Sequence, residues 1–338
     1  MSDRRISEQR LSAVGSRLSA DAGGGSALLR APRRVSRLVR SHLHVVRRAL
    51  VAAALVPALL GGQAAPRPFK VYVSVDLEGV AGVVSDAQTS PSGADYGWAR
   101  TMMVEEANAA IRGALAAGAT EVLLNDSHGP QTNLRPDELD RRATLITGQP
   151  KPFGMAQGLD STFAAAVYIG YHASGSVADA VHGHTFSGAL KHVRLNGREV
   201  GEYGLNGALA GHYGVPVAFV AGDSAFVREA RAFFPMVDAL SVKDGIGFFA
   251  ARTMHPLEAR ERIEAGVRAA LTKRVARPPV KLSAPITLEV ELAELAQADK
   301  VMLVPGMQRV SGRVVRYTAS DMPTIYRVSR AIMLLARA

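Results

Sequence analysis

The order of strand-like and helix-like segments after residue 68 restricts the possible folds more than any other feature of this chain. Residues 69–76 read FKVYVSVD, an apolar strand followed by a stretch rich in Gly and Ser. Residues 98–117 have apolar side chains at helical spacing and end before Gly118. Further strands are predicted at 121–124, 164–170 and 215–221, and a helix at 202–212. Strands that alternate with helices predict a mostly parallel sheet covered on both faces.

Two other regions add strands of a different kind. Residues 192–200 read as a hairpin across an Asn196-Gly197 turn, a strong two-residue hairpin signal. After Pro278, strand-like segments at 286–292, 300–304 and 312–318 precede a helix at 322–336. We therefore predict an α/β fold, a three-layer α/β/α arrangement with a small C-terminal α/β lobe within residues 280–338. An alternative is that these last segments complete the first sheet.

Composition narrows the function classes. The chain has 338 residues with 48% hydrophobic content, enough to bury a large core. Residues 1–64 contain 11 Arg and 3 acidic residues, so they carry +8 of the net +10 and leave only +2 for the rest. A nearly neutral folded part does not support a basic binding face, and we expect no nucleic-acid partner. Cysteine is absent, so any metal must be bound by histidines and carboxylates.

The first 64 residues predict an N-terminal extension that ends in a secretory signal. Arg47-Arg48 precedes an apolar run at residues 49–60, and small residues follow at Gly62 and Ala64. The run is too short for a membrane-spanning helix, which needs about 20 residues. The alternatives are a mitochondrial-type presequence or a buried core helix. We expect cleavage near Ala64, a periplasmic or extracellular protein without a stable membrane span, and a catalytic domain at residues 65–338. Without a functional signal the protein would be cytoplasmic.

Polar residues follow three of the predicted strands. Asp76 and Glu78 follow the first strand, His128 the second and His172 the third. Because ligands of open α/β sheets bind beyond the carboxyl ends of the strands, these side chains are expected to converge. Asp76 and Glu78 project to the same side of an extended chain and would repel each other unless a cation lay between them. The alternative is a solvated strand end with one carboxylate capping the next loop.

For each of the remaining candidates there is also an interpretation in which the residue has only a structural role. His128 and His172 alone would be a turn histidine and a buried structural histidine, and only their joint position favours metal binding. Glu202 begins a predicted helix, where the helix dipole favours an acid in any case. Asp223 closes a strand and is a reserve ligand. His182 and His184 form either a ligand pair or a pair containing one proton-transfer group, and the pattern does not distinguish them.

Carboxylates and imidazoles without sulfur suit Zn, Mn, Co or Fe better than Mg or Ca. Five ligands exceed the three, plus water, of a single catalytic zinc, so a two-metal site fits better. Such a site suits the hydrolysis of amides, because it supplies hydroxide near neutral pH and polarises a carbonyl.

Six segments resemble the D-aminopeptidase family of dizinc peptidases, whose members also carry the name dipeptide transport proteins. They are SVDLEG at 74–79, NDSH at 125–128, KPFGMAQGLD at 151–160, GYHA at 170–173, HTFSG at 184–188 and VGEYGLN at 200–206. The resemblance runs in order from residue 69 to the C-terminal helix. The chain departs from the family form in its N-terminal extension and in a spacer one residue longer between His172 and His184.

The resemblance implies that two zinc ions are bound by five residues: Asp76, Glu78, His128, His172 and Glu202. It also implies that His184 is the catalytic histidine. The expected activity is release of N-terminal D-amino acids such as D-Ala from short peptides, by a homo-oligomer that limits access to its site. The alternatives are a non-hydrolytic peptide-binding component of peptide uptake and a metallohydrolase of another ester or amide.

Overall fold

The computed structural model describes residues 68–273 and 276–337. The predicted extension and signal, residues 1–64, lie outside these described residues. Among the described helices, none combines the length and the apolar character needed to cross a bilayer.

The described residues form twelve strands and seven α-helices. The strands are β1 Lys70–Val75, β2 Glu121–Asp126, β3 Ala143–Ile146, β4 Phe163–Tyr171, β5 Leu190–Leu195, β6 Arg198–Glu199, β7 Val217–Asp223, β8 Asp238–Gly247, β9 Ala250–Thr253, β10 Ile286–Leu292, β11 Gln308–Arg309 and β12 Val314–Ala319. The helices are α1 Asp86–Thr89, α2 Tyr96–Ala116, α3 Glu202–His212, α4 Ser224–Phe233, α5 Pro256–Thr272, α6 Leu295–Val301 and α7 Met322–Ala336.

The larger sheet has seven strands in the order β3-β2-β1-β4-β7-β8-β9. Its neighbouring strands are parallel except for β8 and β9, which pair antiparallel. From β1 the chain first builds the sheet outward through β2 and β3, and then returns to add β4 on the other side of β1. The strand order therefore reverses between β1 and β4, and such a reversal opens a crevice at the carboxyl ends of these two strands.

Side chains that alternate along β1 divide the core between the two faces of this sheet. Val71, Val73 and Val75 lie in a core formed with α2 and α5. Tyr72 points the other way, into a core shared with α3, α4, α7 and the second sheet. The predicted α/β fold, with a mostly parallel sheet covered on both faces, is confirmed.

The smaller sheet has five strands in the order β11-β12-β10-β5-β6, all antiparallel. The turn between β5 and β6 places Asn196 at φ 48° and Gly197 at φ 80°, as the Asn-Gly pair predicts. The predicted lobe begins at residue 280. The smaller sheet also includes the hairpin of β5 and β6, which comes earlier in the chain.

The predicted strand at residues 300–304 is wrong. These residues contain the end of α6 and the turns that follow it. Glu294 and Gln297 form a capping box that starts α6, and Val301 is fully buried on this helix. The apolar run at 301–304 therefore reflects helix packing and not a strand.

Candidate metal centre

All five predicted ligands converge at the carboxyl edge of the larger sheet, around the reversal between β1 and β4. Asp76 and Glu78 follow β1, His128 follows β2, His172 follows β4, and Glu202 is the first residue of α3. Each of them is at most 7% exposed. Four of them follow strand ends, as predicted, whereas Glu202 comes from a helix that packs against α7 and β4.

One glycine allows the loop after β1 to lie against the end of β4. Gly79 donates its backbone N–H to the Gly170 carbonyl at 2.7 Å, and Asp76 donates to Ile169 at 2.8 Å. A Cβ atom at Gly79 would lie 1.9 Å from the Tyr171 carbonyl oxygen. A side chain here would push the loop away, and with it the Glu78 carboxylate beside His172.

The ligand atoms form two triads that share one residue. The first is Asp76, Glu78 and His128, the second is Asp76, His172 and Glu202, and within each triad the atoms lie within 4.8 Å of one another. One Asp76 oxygen lies 3.4 Å from His128 Nδ1, and the other lies 3.7 Å from His172 Nε2. The Asp76 carboxylate is therefore placed to bridge two cations, one in each triad.

A further set of possible ligands joins Glu78 and His172 to His184. The His172 and His184 rings stack with their centroids 4.4 Å apart, and His184 Nε2 lies 3.6 Å from Glu202 Oε1. His184 is more open to solvent, with 24% of its side chain exposed. It therefore borders the triads from the solvent side.

Backbone carbonyls fix the orientation of the three imidazoles. His128 Nε2 donates to the Thr89 carbonyl at 2.8 Å and His172 Nδ1 donates to Ala173 at 2.9 Å. His184 Nδ1 donates to the His182 carbonyl at 2.7 Å. The other nitrogen of each ring faces the carboxylates. This is the outer hydrogen bond that metal-binding histidines usually make.

Two buried atoms in the second triad have no hydrogen-bond partner among the described residues. They are His172 Nε2 and Glu202 Oε2, which lie 3.5 Å apart. Buried polar atoms without partners are rare because their desolvation is not repaid. A divalent cation bound by both atoms would satisfy them, so the donor set fits a metal of the zinc type.

The charges of the site point to the same conclusion. Burial and the neighbouring Glu78 carboxylate raise the pKa of Asp76 well above its usual value. Burial opposes the charged form of His172, but the Glu202 carboxylate outweighs it and raises the pKa of His172 to about 10. Protons thus balance the buried carboxylates when no cation is bound, and a cation would take their place.

The structure distinguishes His182 from His184, whose roles the sequence pattern does not decide. His182 is buried, but its Nδ1 lies 3.8 Å from Asp86, and its ring packs against Phe248 and Phe249 at 5.2 and 5.1 Å. It belongs to none of the three ligand groups. His184 is the member of the pair that faces the triads.

The reserve ligand Asp223 has a structural role. Its carboxylate accepts a hydrogen bond from the Phe226 N–H at 2.8 Å and so caps α4. Its second oxygen accepts from the Ala173 N–H at 3.4 Å. Asp223 therefore steadies the residue next to His172 and lies outside the ligand groups.

Lys243 on β8 supports the site, although no sequence motif indicates it. Its side chain is 2% exposed, and Nζ donates to the backbone carbonyls of Glu78, Val80 and Val83. Burial lowers the pKa of Lys243 to about 8. This lysine fixes the loop that carries Glu78. No sequence signal separates it from an ordinary lysine in a half-exposed strand.

Two cavities reach the triads from different sides. The residues that line a cavity of about 90 Å³ include Asp76, Glu78, His128, Glu202, His184, Gln131 and Arg330. A larger one of about 420 Å³ reaches Glu78 and His184 and is bounded by His182, Lys191 and Phe248. Because His184 lines both, it lies where the two cavities meet.

Comparisons with known proteins agree with this geometry. A family model described as D-aminopeptidase matches residues 69–331. D-aminopeptidase of Bacillus subtilis strain 168 is 37% identical over 268 residues, which cover 79% of this chain and 97% of that protein.

A solved structure has the same fold. It is the Zn-dependent D-aminopeptidase DppA from Bacillus subtilis, described as a self-compartmentalizing protease. The TM-score is 0.77 at 36% identity, and the match covers 79% of this chain and 98% of that chain. The family match includes every residue of the two triads, so the resemblance seen in the sequence motifs is confirmed: this chain belongs to the D-aminopeptidase family.

Proposed function

We propose that this protein is a zinc-dependent aminopeptidase that releases N-terminal D-amino acids, such as D-Ala, from short peptides. The observation that carries this function is the pair of buried triads that share Asp76 and leave His172 Nε2 and Glu202 Oε2 without partners. Membership of the family supplies the reaction, since the relative at 37% identity is a D-aminopeptidase.

Each triad would hold one zinc ion. Asp76, Glu78 and His128 form one set of ligands, and Asp76, His172 and Glu202 form the other. Bound zinc lowers the pKa of water and polarises the scissile carbonyl, the two effects that amide hydrolysis needs. The chain contributes the buried surroundings, in which three imidazoles are held in place by backbone carbonyls.

His184 is the proposed catalytic residue that moves protons. Its Nδ1 is engaged by the His182 carbonyl, so Nε2 faces the site and is free to accept a proton and to donate it. Its partial exposure and its place in the lining of both cavities put it against a substrate bound beside the triads. The leaving amine would receive its proton from this group.

His184 also meets the geometric conditions for a ligand, and metal content separates the two roles. As a proton-transfer group, His184→Ala retains two zinc ions per chain and loses most of the activity, by roughly 10²- to 10⁴-fold. A loss of one zinc ion in this variant, measured by plasma emission spectrometry, would instead assign His184 as a ligand.

The activity is tested with the zinc-loaded protein and its chelated form. We expect D-Ala-D-Ala to be hydrolysed, L-Ala-L-Ala to be hydrolysed more slowly, and both activities to disappear on chelation and return with zinc. Tight binding of D-Ala-D-Ala without turnover would favour the peptide-binding alternative. Turnover that survives exhaustive chelation would rule out the proposed reaction.

We also propose that the protein is exported and assembles into a homo-oligomer. The apolar run at 49–60 supports export, and cell fractionation with N-terminal sequencing of the mature protein tests it.

The relative described as a self-compartmentalizing protease supports assembly. Exposed apolar side chains on the hairpin of β8 and β9, Ile246, Phe248 and Phe249, are available to be covered by another copy. Light scattering of the purified protein measures its mass in solution and therefore the number of subunits.

A further inference from the structure

A buried arginine shares the smaller cavity with the triads. Arg330 on α7 is 7% exposed, and it lines the cavity of about 90 Å³ together with Asp76 and Glu202. It lies on the buried stripe of its helix, between Tyr326 and Met333. Arginine seldom occupies such a position unless its charge is matched.

The Arg330 guanidinium has no carboxylate partner in the described part of the chain. Its Nε atom lacks a hydrogen-bond partner there, and Nη1 lies 3.3 Å from the Met333 sulfur. Burying a charge without an anion is costly, because the lost hydration is not replaced. An anionic ligand in the cavity would supply what the protein does not.

The surroundings hold the guanidinium in one place. Gly154 has φ 40°, and a Cβ atom there would lie 2.8 Å from Arg330 Nε and 3.0 Å from Cζ. On another side the guanidinium faces the Phe186 ring, 5.4 Å from its centroid. The guanidinium thus lies between Gly154, which leaves room for it, and the Phe186 ring.

A second polar group without a partner lines the same cavity. Gln131 is 2% exposed, its Oε1 has no hydrogen-bond partner among the described residues, and its φ is 60°. A left-handed backbone at a residue other than glycine is uncommon and tends to occur at functional sites. The metal ligands, the Arg330 guanidinium and the Gln131 amide therefore line one small cavity.

We propose that Arg330 binds the free α-carboxylate of the substrate, so that the enzyme selects dipeptides. This inference rests on the proposed function, because it places the carboxylate next to the hydrolysed bond. A guanidinium pairs with a carboxylate through two parallel hydrogen bonds, which fixes its position as well as its charge. The cavity of about 90 Å³ is the smaller of the two at the triads, which suits one small leaving residue.

The test compares D-Ala-D-Ala with its C-terminal amide, D-Ala-D-Ala-NH₂, on the zinc-loaded protein. We expect kcat/KM to be roughly 10- to 100-fold lower for the amide, mainly through KM, because a charged hydrogen-bonded pair is lost. Arg330→Met should lower kcat/KM for the free acid to about that of the amide. The same variant should leave the amide within about threefold of its wild-type value.

Arg327→Met is the matched control, since Arg327 is exposed on the same helix and does not line this cavity. It should leave the ratio of free acid to amide unchanged. Arg330→Lys should retain part of the preference for the free acid, and it serves if Arg330→Met does not fold. Thermal melts and hydrolysis of the amide report whether each variant is folded.

Equal rates for the two compounds in the wild type would overturn the inference while leaving the proposed function intact. An equal loss for both compounds in Arg330→Met would also overturn it, because a purely structural role predicts that result. Failure to hydrolyse either compound would contradict the proposed function. In that case calorimetric binding of the same two compounds decides the inference, and equal affinities would overturn it.

Discussion

The two triads share Asp76 but differ in what satisfies them without a cation. In the first, His128 Nδ1 lies 2.8 Å from Glu78 Oε2, so the imidazole and the carboxylate hydrogen-bond directly. In the second, His172 Nε2 and Glu202 Oε2 lie 3.5 Å apart and have no partner in the described part of the chain. The first triad is therefore closed by its own residues, whereas the second is held open by the scaffold.

The scaffolds of the triads differ in the same way. The loops that follow β1 and β2, which are adjacent parallel strands, supply the first triad. The second joins the end of β4 to the start of α3, and α3 packs against α7, which in turn packs against β10 and β12 of the smaller sheet. An open pair of ligands requires rigid elements on both sides, and here these come from separate layers of the fold.

The largest effect is expected at the shared residue. Asp76→Asn removes a charge from both triads and should lower zinc content from two ions per chain and reduce kcat/KM at least about 10³-fold, since several kcal/mol of transition-state stabilisation are lost. Metal analysis and D-Ala-D-Ala hydrolysis measure the outcome. A variant that kept two zinc ions and near-normal activity would show that Asp76 is not shared.

Substitution of Lys243 tests whether the first triad depends on the loop that carries Glu78. Lys243→Met leaves the carbonyls of Glu78, Val80 and Val83 without their donor and should lower the free energy of unfolding by about 3 kcal/mol or more. Urea unfolding measures it, with the exposed Lys273→Met as control. Zinc titration should show weakened binding of one ion and not of the other. Equal weakening of both would contradict a role confined to the first triad.

Much of the larger sheet and its site could be predicted from the sequence. The strand-end rule depends on local patterns, an apolar run followed by Asp76, His128 or His172, and parallel strands bring such ends together. The smaller sheet could not be assembled in this way, because β10 pairs with β5 across about ninety residues of intervening chain. The order in which distant antiparallel strands pair leaves no local signal.

The buried positive charges Lys243 and Arg330 differ in how far the sequence predicts them. Lys243 acts through backbone carbonyls of a distant loop, which no side-chain pattern reveals. Arg330 did have a signal, because it interrupts the apolar stripe of α7 that contains Ile325, Tyr326 and Met333. The sequence patterns predict no helix or strand within residues 224–278, which contain α4, β8, β9 and α5.

Proton release should sharpen the comparison of the triads. The pKa of His172 is about 10 in the cation-free protein, so this imidazole carries a proton at pH 8, which a bound cation must displace. Zinc affinity should therefore rise as pH increases towards 10 and fall as pH decreases. Calorimetry at pH 8 in buffers of different ionisation enthalpy should show proton release, and Glu202→Gln should reduce it. A binding enthalpy independent of buffer would contradict this account.

The smallest effect is expected at the α4 cap. Asp223→Ala removes the acceptor for the Phe226 N–H and should destabilise the protein by about 1 kcal/mol. Because Asp223 also accepts from Ala173, next to His172, the affinity for the second zinc should weaken slightly while the first is unaffected. Thermal melts and zinc titration check both. A complete loss of the second zinc would instead make Asp223 a ligand.

The central claim is that residues 76, 78, 128, 172 and 202 hold two cations on either side of one carboxylate. Anomalous diffraction at the zinc absorption edge, on crystals of the zinc-loaded protein, tests it most directly. We predict two peaks, one among Asp76, Glu78 and His128 and the other among Asp76, His172 and Glu202. A single peak, or peaks remote from Asp76, would contradict it.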